Sequence, residues 1–535
     1  MRGLMMEGPL TLSAILRRAA TVFPRRDVVT LGYGPPRRAG YAEVAATARR
    51  LSAGLGRLGI QPGDRVASLC MNHDRHMAAY FGVPAAGAIM HTLNPRLHAD
   101  DLAAIVRSAG DRAVIVDEAL LPVLDAIRER VDPGVAIVAA DGPAPQGMLG
   151  FDDLLDDDPG EDALADPDEL DAAFLCYTSG TTGAPKGVLY SHRALVIHAL
   201  VCVHGDAFDV READTVLPVV PMFHVMAWGL PFACAMSGAR MVLPGPAVDP
   251  ASVLAAVAEE RVTITAGVPT VWLGVLAALD ADPGAHDVSS LKWLIIGGSA
   301  APRVLMEGLE RRHGIPCMCA WGMTETTPLG TAARLPPDMA AAPEDDQLTL
   351  RQSQGRPVPF VETRARGERG MIPHDGRTMG ELEVRGPFVA SGYFGREGPT
   401  EQITDDGWFR TGDIVTIDER EVVRITDREK DLVKSGGEWI SSVALENALM
   451  GHPDVAEAAV IAIPDERWME RPLAVVVVRD GAAPTPEELI DHLRPSFTPW
   501  SLPDAVEFVD ALPRTATGKF KKAELRERFG GPRPG

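Results

Sequence analysis

The sequence is short of positive charge. It has 52 Lys and Arg residues against 74 Asp and Glu residues, which gives a formal net charge of −22. Nucleic acids bind to basic faces that neutralise their phosphates, so this balance excludes nucleic acid as the main partner. It does not exclude a single nucleotide, which needs only a few local cations and a magnesium ion.

Cysteines are few, and they form neither a disulfide framework nor a zinc motif. Two of the six share a short segment, but no second Cys/His pair accompanies it; the six are Cys70, Cys176, Cys202, Cys234, Cys317 and Cys319. Scattered cysteines in apolar segments indicate buried thiols in a reducing compartment. We therefore expect a cytoplasmic protein.

An apolar targeting segment is lacking at the start, because residues 3–6 are followed at once by Glu7. One uncharged stretch, residues 215–239, is long enough to cross a bilayer. It contains Pro218, Pro221, Pro231 and His224. Three prolines favour a buried strand, loop and helix over a spanning helix, so we expect no transmembrane segment.

The chain of 535 residues is too long for one compact core. Its early part alternates an amphipathic helix at 42–58 with short apolar strands at 64–70 and 113–116, which favours a parallel α/β sheet. Strand-rich segments begin near residue 380, and a charged junction follows at 426–431. We expect an α/β protein with a large N-terminal domain (1–427) of α/β subdomains plus a small β-rich subdomain, and a small mobile α+β C-terminal domain (428–535).

The strongest local signal is the loop Tyr177-Thr-Ser-Gly-Thr-Thr-Gly-Ala-Pro-Lys-Gly187, which follows an apolar strand. Small hydroxyl residues and glycines let the backbone approach phosphate oxygens, and Lys186 adds a cation. A Walker A loop would place Ser or Thr after the lysine, whereas Gly187 stands there. The alternative is a polar surface loop, but few such loops have this composition.

Six further segments occur in the order typical of one family. They are Pro221-Met-Phe-His-Val225, Gly297-Gly-Ser-Ala-Ala301, Trp321-Gly-Met-Thr-Glu325, Trp408-Phe-Arg-Thr-Gly-Asp413 with the junction Thr426-Asp-Arg-Glu-Lys430, and Pro513-Arg-Thr-Ala-Thr-Gly-Lys519. With these segments the chain resembles the adenylate-forming superfamily, in its acyl-CoA synthetase branch. It is similar to bacterial medium-chain fatty acyl-CoA ligases and to methylmercaptopropionyl-CoA ligases.

The resemblance implies an acid–thiol ligase that uses ATP, Mg²⁺ and coenzyme A, with an acyl-AMP intermediate. It implies catalytic roles for Lys519, His224 and Glu325, and a metal site at Thr178 and Glu325. The implied nucleotide- and CoA-binding residues are Thr178, Ser179, Gly180, Thr181, Thr182, Lys186, Gly298, Ser299, Ala300, Trp321, Gly322, Met323, Thr324, Asp413, Arg428, Lys434, Gly436, Gly437, Glu438 and Trp439. The implied acyl pocket contains Phe223, His224, Met226 and Trp228.

Elementary chemistry agrees with these roles. A carboxylate that attacks the α-phosphate brings two anions together, so a cation such as Lys519 is needed where charge develops. Glu325 offers the hard oxygen that magnesium prefers. Taken alone, each residue has a simpler interpretation. Lys519 could be an exposed lysine in a basic tail, Glu325 a solvated carboxylate, and Asp413 a turn cap. For Trp272, the acyl pocket and the ordinary core are equally good interpretations.

Two alternatives stay open. The protein is either an acyl-CoA ligase for a short- to medium-chain fatty or thioether acid, or an acyl-AMP ligase that loads a carrier protein. A non-catalytic binding protein is disfavoured because Lys186, Glu325, Asp413 and Lys519 are all present. The family makes a homodimer a reasonable expectation, with Lys430 at the position used as a pivot between domains.

Overall fold

The computed structural model describes residues 3–128, 130–131, 136–139, 144–155, 160, 164–178, 185–396, 400–435, 438–465, 467–514 and 520–530. Its α-helices are α1 Leu12–Val22, α2 Tyr41–Arg57, α3 Asp74–Ala85, α4 Ala99–Ala109, α5 Leu121–Arg128, α6 His192–Val203, α7 Leu230–Ser237, α8 Pro250–Glu260, α9 Pro269–Ala281, α10 Arg303–Glu307, α11 Glu344–Gln352, α12 Ser442–Leu449, α13 Pro486–Leu493 and α14 Lys522–Phe529.

The strands, in chain order, are β1 Asp27–Thr30, β2 Arg37–Gly40, β3 Arg65–Leu69, β4 Ile89–Thr92, β5 Asp111–Val116, β6 Ala136–Ala139, β7 Leu149–Gly150, β8 Ala172–Tyr177, β9 Gly187–Ser191, β10 Thr215–Pro218, β11 Arg240–Leu243, β12 Ile264–Gly267, β13 Trp293–Ile296, β14 Cys317–Gly322, β15 Leu329–Ala332, β16 Arg356–Pro357, β17 Glu362–Gly367, β18 Gly370–Met371, β19 Gly380–Arg385, β20 Phe409–Ile417, β21 Val423–Arg428, β22 Val433–Ser435, β23 Glu438–Ile440, β24 Val455–Asp465, β25 Met469–Val478 and β26 Ala505–Phe508.

Two large, mostly parallel sheets form the first part of the chain. One has the order β16-β15-β14-β13-β12-β10-β11-β1-β2, and the other has the order β7-β6-β5-β3-β4-β8-β9. Antiparallel partners occur at the edges, where β2, β15 and β9 pair. Parallel strands are covered on both faces, which explains continuous apolar runs such as β13. In open α/β sheets ligands bind beyond the carboxyl ends of the strands.

Two smaller sheets complete the fold. The sheet β18-β17-β19-β20-β21 is antiparallel and ends at Arg428. The next sheet, β23-β22-β25-β24 with β26 beside β25, has its own apolar core with α12 and α13. The chain passes between them at residues 429–432, one residue beyond the predicted boundary.

Several predicted elements are confirmed within a residue or two. The helix expected at 42–58 is α2, and the strands expected at 64–70 and 113–116 are β3 and β5. Residues 215–239 form β10, a turn and α7. No helix in the described ranges is both long and apolar enough to cross a membrane. All six cysteines are buried and free.

Candidate active site

A cavity of about 860 Å³ lies where the strands of both parallel sheets end. Its wall includes the residues that directly follow β8, β10, β12, β13 and β14, together with residues of β20 and of the junction at 428–431. The predicted site residues on this wall are Thr178, Lys186, Phe223, His224, Trp228, Gly298, Trp321, Gly322, Met323, Thr324, Glu325 and Arg428. Topology therefore gathers segments that are far apart in sequence.

The ends of the predicted phosphate loop are fixed to each other. Tyr177 pairs with Gly187 across β8 and β9. The Thr178 amide donates to the Lys186 carbonyl at 2.9 Å, and the Lys186 amide donates to the Thr178 hydroxyl oxygen at 3.3 Å. The loop therefore leaves and re-enters the sheet at the cavity wall. Ser179, Gly180, Thr181 and Thr182 lie outside the described residues.

Glu325 is a buried carboxylate on the cavity wall, only 6% exposed. Burial raises the pKa of Glu325, and a hydrogen bond from the Tyr393 hydroxyl to Oε1 at 2.8 Å opposes that rise. A desolvated carboxylate on the wall of the cavity fits a hard divalent cation, as does the hydroxyl of Thr178 on the same wall.

Asp413 lies behind the wall and is held from two sides. Its Oδ2 accepts a hydrogen bond from the Trp321 indole at 2.9 Å, and Arg428 Nε lies 2.6 Å from Oδ1. That second contact is an ion pair without hydrogen-bond alignment, so Oδ1 makes no hydrogen bond in the described part of the chain. An oriented buried carboxylate with spare acceptor capacity is suited to ribose hydroxyls.

The other half of the wall is apolar. It is built from Phe208, Val219, Val225, Val248, Val268 and Val271, with Phe223 and Trp228. The Trp228 indole lies against Gly297, where a Cβ would be 2.9 Å from the ring. Because residue 297 is a glycine, the Trp228 ring can pack against the loop that begins there.

A left-handed turn, Val225–Gly229, decides which side chains enter the cavity. Val225, Met226, Ala227 and Trp228 have φ between 35° and 57°. L-residues pay about 1–2 kcal/mol each for this conformation, and such strain concentrates at functional sites. Trp228 reaches the wall, whereas Met226 is fully buried in the core and does not. The structure thus corrects the expected place of Met226 in the acyl pocket.

Trp272 is also a core residue, 1% exposed and packed behind the wall that Val268 and Val271 form. Ser299 and Ala300 follow the wall residue Gly298 without lining the cavity. Lys434 and Trp439 lie on β22 and β23 of the C-terminal sheet, away from the wall, and Glu438 begins β23. Gly436, Gly437 and Lys519 fall outside the described residues.

Asn72, whose role the sequence did not reveal, lies behind the cavity wall and supports one of its segments. It is 3% exposed, and its amide nitrogen donates to the carbonyls of Pro218 and Val220 at 3.1 and 3.0 Å. Its Oδ1 accepts from the Met222 amide at 2.7 Å, and the Tyr80 hydroxyl donates to the Met222 carbonyl. Buried backbone groups outside a sheet need such partners. Asn72 therefore fixes the segment that carries Phe223 and His224.

Replacing Asn72 with Asp should weaken acid binding. Aspartate keeps the acceptor for Met222 but turns an oxygen toward two carbonyls, and an unmet buried group costs about 1–3 kcal/mol. We expect the KM for the acid to rise about tenfold while the KM for ATP stays unchanged, with Asn447→Asp on α12 as the control. Equal changes in both KM values, or none, would contradict a role specific to the acyl side.

Comparison with known proteins decides the family. A family model described as AMP-binding enzyme matches residues 16–394. The chain belongs to the AMP-binding enzyme family. The model of the family's C-terminal domain matches residues 444–519. The predicted superfamily is therefore confirmed, and its two matched regions lie on either side of the junction at 426–431.

Relatives in the AMP-binding family cover the chain from end to end. A long-chain-fatty-acid–CoA ligase of Thermus thermophilus is 49% identical over 532 residues, 98% of this chain and 96% of the relative. A medium-chain-fatty-acid–CoA ligase of Ectopseudomonas oleovorans is 41% identical, covering 99% and 98%. A 3-methylmercaptopropionyl-CoA ligase of Ruegeria lacuscaerulensis is also 41% identical, covering 99% of each chain.

A solved structure agrees with the fold. The anthranilate CoA ligase AuaEII in complex with anthranoyl-AMP matches with a TM-score of 0.86 and 27% identity, covering 98% of this chain and 99% of that one. These findings confirm the predicted α/β fold and the predicted class of acyl-CoA ligase. ATP and CoA are substrates of this ligase class, and the carrier-loading alternative is not favoured.

Proposed function

We propose that this AMP-binding family member joins a carboxylic acid to CoA through the residues of the described cavity. The observation that carries the proposal is one cavity with an apolar wall on one side and Lys186, Glu325 and Arg428 on the other. An acid with an apolar tail would place its carboxylate where the two halves meet. ATP would place its phosphates near Lys186 and its ribose near Asp413.

The reaction follows from this placement. One carboxylate oxygen attacks the α-phosphorus, the bond to the β-phosphate breaks, and pyrophosphate leaves. The CoA thiolate then attacks the acyl carbon, and AMP leaves with the carboxylate oxygen. Lys186 offsets charge at the outer phosphates, and Lys519 is assigned to the α-phosphate. Thr178 and Glu325 would hold a magnesium ion, which supplies further charge neutralisation at the phosphates.

The test is a pyrophosphate-release screen over carboxylic acids from short to long chain, including thioether and aromatic acids, with and without CoA. We expect release with an apolar acid and thioester only when CoA is present. Thioester formation on a carrier protein but not on free CoA would favour the acyl-AMP ligase alternative. Absence of release with every acid would overturn the proposal.

The proposed substrate is a short- to medium-chain aliphatic or thioether acid. The support is the group of apolar side chains on the wall that includes Phe223 and Trp228, together with relatives named for medium-chain fatty acids and for 3-methylmercaptopropionate. One relative is named for long-chain fatty acids, so preference for a long-chain acid is the competing outcome. Trp228 occupies space that a longer acyl chain would need.

Replacing Trp228 with Ala should therefore move the preference toward longer acids. Each methylene that the vacated space accepts is worth about 0.8 kcal/mol, roughly fourfold in kcat/KM. The control is Met226→Leu, in the same turn but outside the cavity. The measurement is kcat/KM across a series of straight-chain acids, and an unchanged profile for Trp228→Ala would remove this residue from the pocket.

We also propose that the enzyme acts in the cytoplasm as a homodimer. The cytoplasmic location is supported by six free buried cysteines. The dimer is an expectation from the family, and light scattering at enzyme concentrations used for assay tests it directly.

A further inference from the structure

One tyrosine contacts two charged groups of the cavity wall. The Tyr393 hydroxyl donates to Glu325 Oε1 at 2.8 Å, and Lys186 Nζ lies 4.9 Å from the centre of the Tyr393 ring. Tyr393 is 7% exposed and lines the same cavity. A single side chain thus contacts both an anion and a cation of the site.

We propose that Tyr393 is a positioning residue for the metal–nucleotide complex. Its hydroxyl would orient Glu325 as a ligand for the magnesium ion, and its ring would hold Lys186 toward the outer phosphates. The inference rests on the proposed function, because it needs a metal-bound nucleotide in this cavity. It assigns Tyr393 no contact with the reacting atoms.

The backbone around Tyr393 supports this role. The Ala390 amide donates to the Glu325 carbonyl at 2.7 Å, and the Phe394 amide donates to the Gly187 carbonyl at 2.8 Å. The segment is therefore joined on one side to the residue proposed as metal ligand and on the other to the end of the phosphate loop. These two hydrogen bonds hold the backbone on both sides of Tyr393 beside Glu325 and the end of the phosphate loop.

The two contacts differ in chemistry. Hydrogen bonds to a ligating carboxylate fix its orientation, and loss of such a partner lowers metal affinity about 10–100-fold. A cation over an aromatic ring is a weaker contact, and its loss changes binding by about threefold at a partly exposed site. The hydroxyl should therefore govern metal affinity, and the ring should govern phosphate affinity.

Two substitutions separate these contributions. Tyr393→Phe removes the hydroxyl and keeps the ring under Lys186, whereas Tyr393→Leu removes both. Tyr41→Phe is the matched control, because the Tyr41 hydroxyl is also buried and donates to a backbone carbonyl, that of Ala239, at 2.7 Å. Thermal melting of each variant checks that the fold is kept. If Tyr393→Leu melts at a lower temperature than the wild type, Tyr393→Phe alone tests whether the hydroxyl governs metal affinity.

The experiment is a titration with Mn²⁺, which replaces magnesium and is counted by electron paramagnetic resonance, in the presence of α,β-methylene-ATP. We expect Tyr393→Phe to bind Mn²⁺ about tenfold more weakly than the wild type, with metal-free nucleotide affinity unchanged. Tyr393→Leu should show the same loss and an additional threefold weaker binding of metal-free nucleotide, roughly the value of the ring contact. Tyr41→Phe should match the wild type.

Wild-type Mn²⁺ affinity in Tyr393→Phe would overturn the inference and leave the proposed function standing. Weaker metal-free nucleotide binding in Tyr393→Phe would also overturn it, because that result would indicate a general loss of structure at the site. A wild-type enzyme that binds neither Mn²⁺ nor the nucleotide would overturn the proposed function itself, and this inference with it.

Discussion

Replacing Lys519 with Ala should abolish acyl-AMP formation and leave the conversion of supplied acyl-AMP and CoA to thioester intact. The first step brings the acid's carboxylate to the anionic α-phosphate and needs a cation there, whereas the second needs that space open for the thiol. Phe520, the residue after Lys519, lines the cavity. The expected loss in the first step is about 10²-fold or more, the scale of one preorganised electrostatic contact.

Lys430→Pro should have the opposite effect. We propose that the C-terminal domain swings about Lys430 between the two steps, and proline fixes φ at that position. In the described arrangement the junction is held by hydrogen bonds from the Ser442 amide and hydroxyl to Asp427 Oδ2, each 2.6 Å, and by Arg526 to Asp431 at 2.9 Å. Adenylation should survive, and thioester formation should fall.

Single-turnover assays of the two half-reactions measure both effects. Lys521→Ala is the control for Lys519, because Lys521 is an exposed lysine two residues away. Equal losses of both half-reactions in Lys519→Ala and Lys430→Pro would contradict the two-state division of labour. That result would not contradict the acyl-CoA ligase assignment.

Replacing Glu325 with Gln should lower adenylation by about 10²-fold or more at ordinary magnesium concentration. Glutamine keeps the shape of the side chain and removes the charge that the cavity has desolvated. Excess magnesium should restore part of the rate, because the substitution weakens metal binding. The control is Glu401→Gln, an exposed carboxylate on the same cavity wall. A near-normal rate for Glu325→Gln would remove this residue from the metal site.

Much of the fold could be predicted because helices and strands produce periodic patterns of apolar residues in the sequence. The spacing of apolar residues in α2 and the apolar runs of β3 and β5 report burial directly. The prolines at 218, 221 and 231 excluded a spanning helix and predicted the strand, turn and α7 that the structure has. The order of motifs fixed the family, which then implied where most cavity residues would gather.

The left-handed turn at Val225–Gly229 could not be predicted from the sequence. Four consecutive non-glycine residues with positive φ carry no compositional signal, so the alternation of side chains into and out of the pocket was not predictable. Met226 and Trp228 were therefore both expected in the pocket, and only Trp228 reaches it. Trp272 lies in the core and does not line the cavity, whereas Val268 and Val271 of the same segment do.

Asn72 and Tyr393 were missed for a related reason. Each acts on a segment far away in the chain, at Pro218–Met222 for Asn72 and at Glu325 and Lys186 for Tyr393. A lone asparagine or tyrosine has no spacing pattern, and its role exists only once the sheets bring the segments together. The signal that would find such residues is the unsatisfied backbone or carboxylate that needs a partner.

The most direct test follows the oxygen atoms of the acid. A straight-chain acid labelled with ¹⁸O in both carboxylate oxygens is turned over with ATP, magnesium and CoA, and the products are weighed by mass spectrometry. An acyl-AMP intermediate places one labelled oxygen in AMP, because AMP leaves with the oxygen that attacked the α-phosphorus. We expect singly labelled AMP and unlabelled pyrophosphate. Unlabelled AMP beside a labelled phosphate product would contradict an acyl-AMP intermediate.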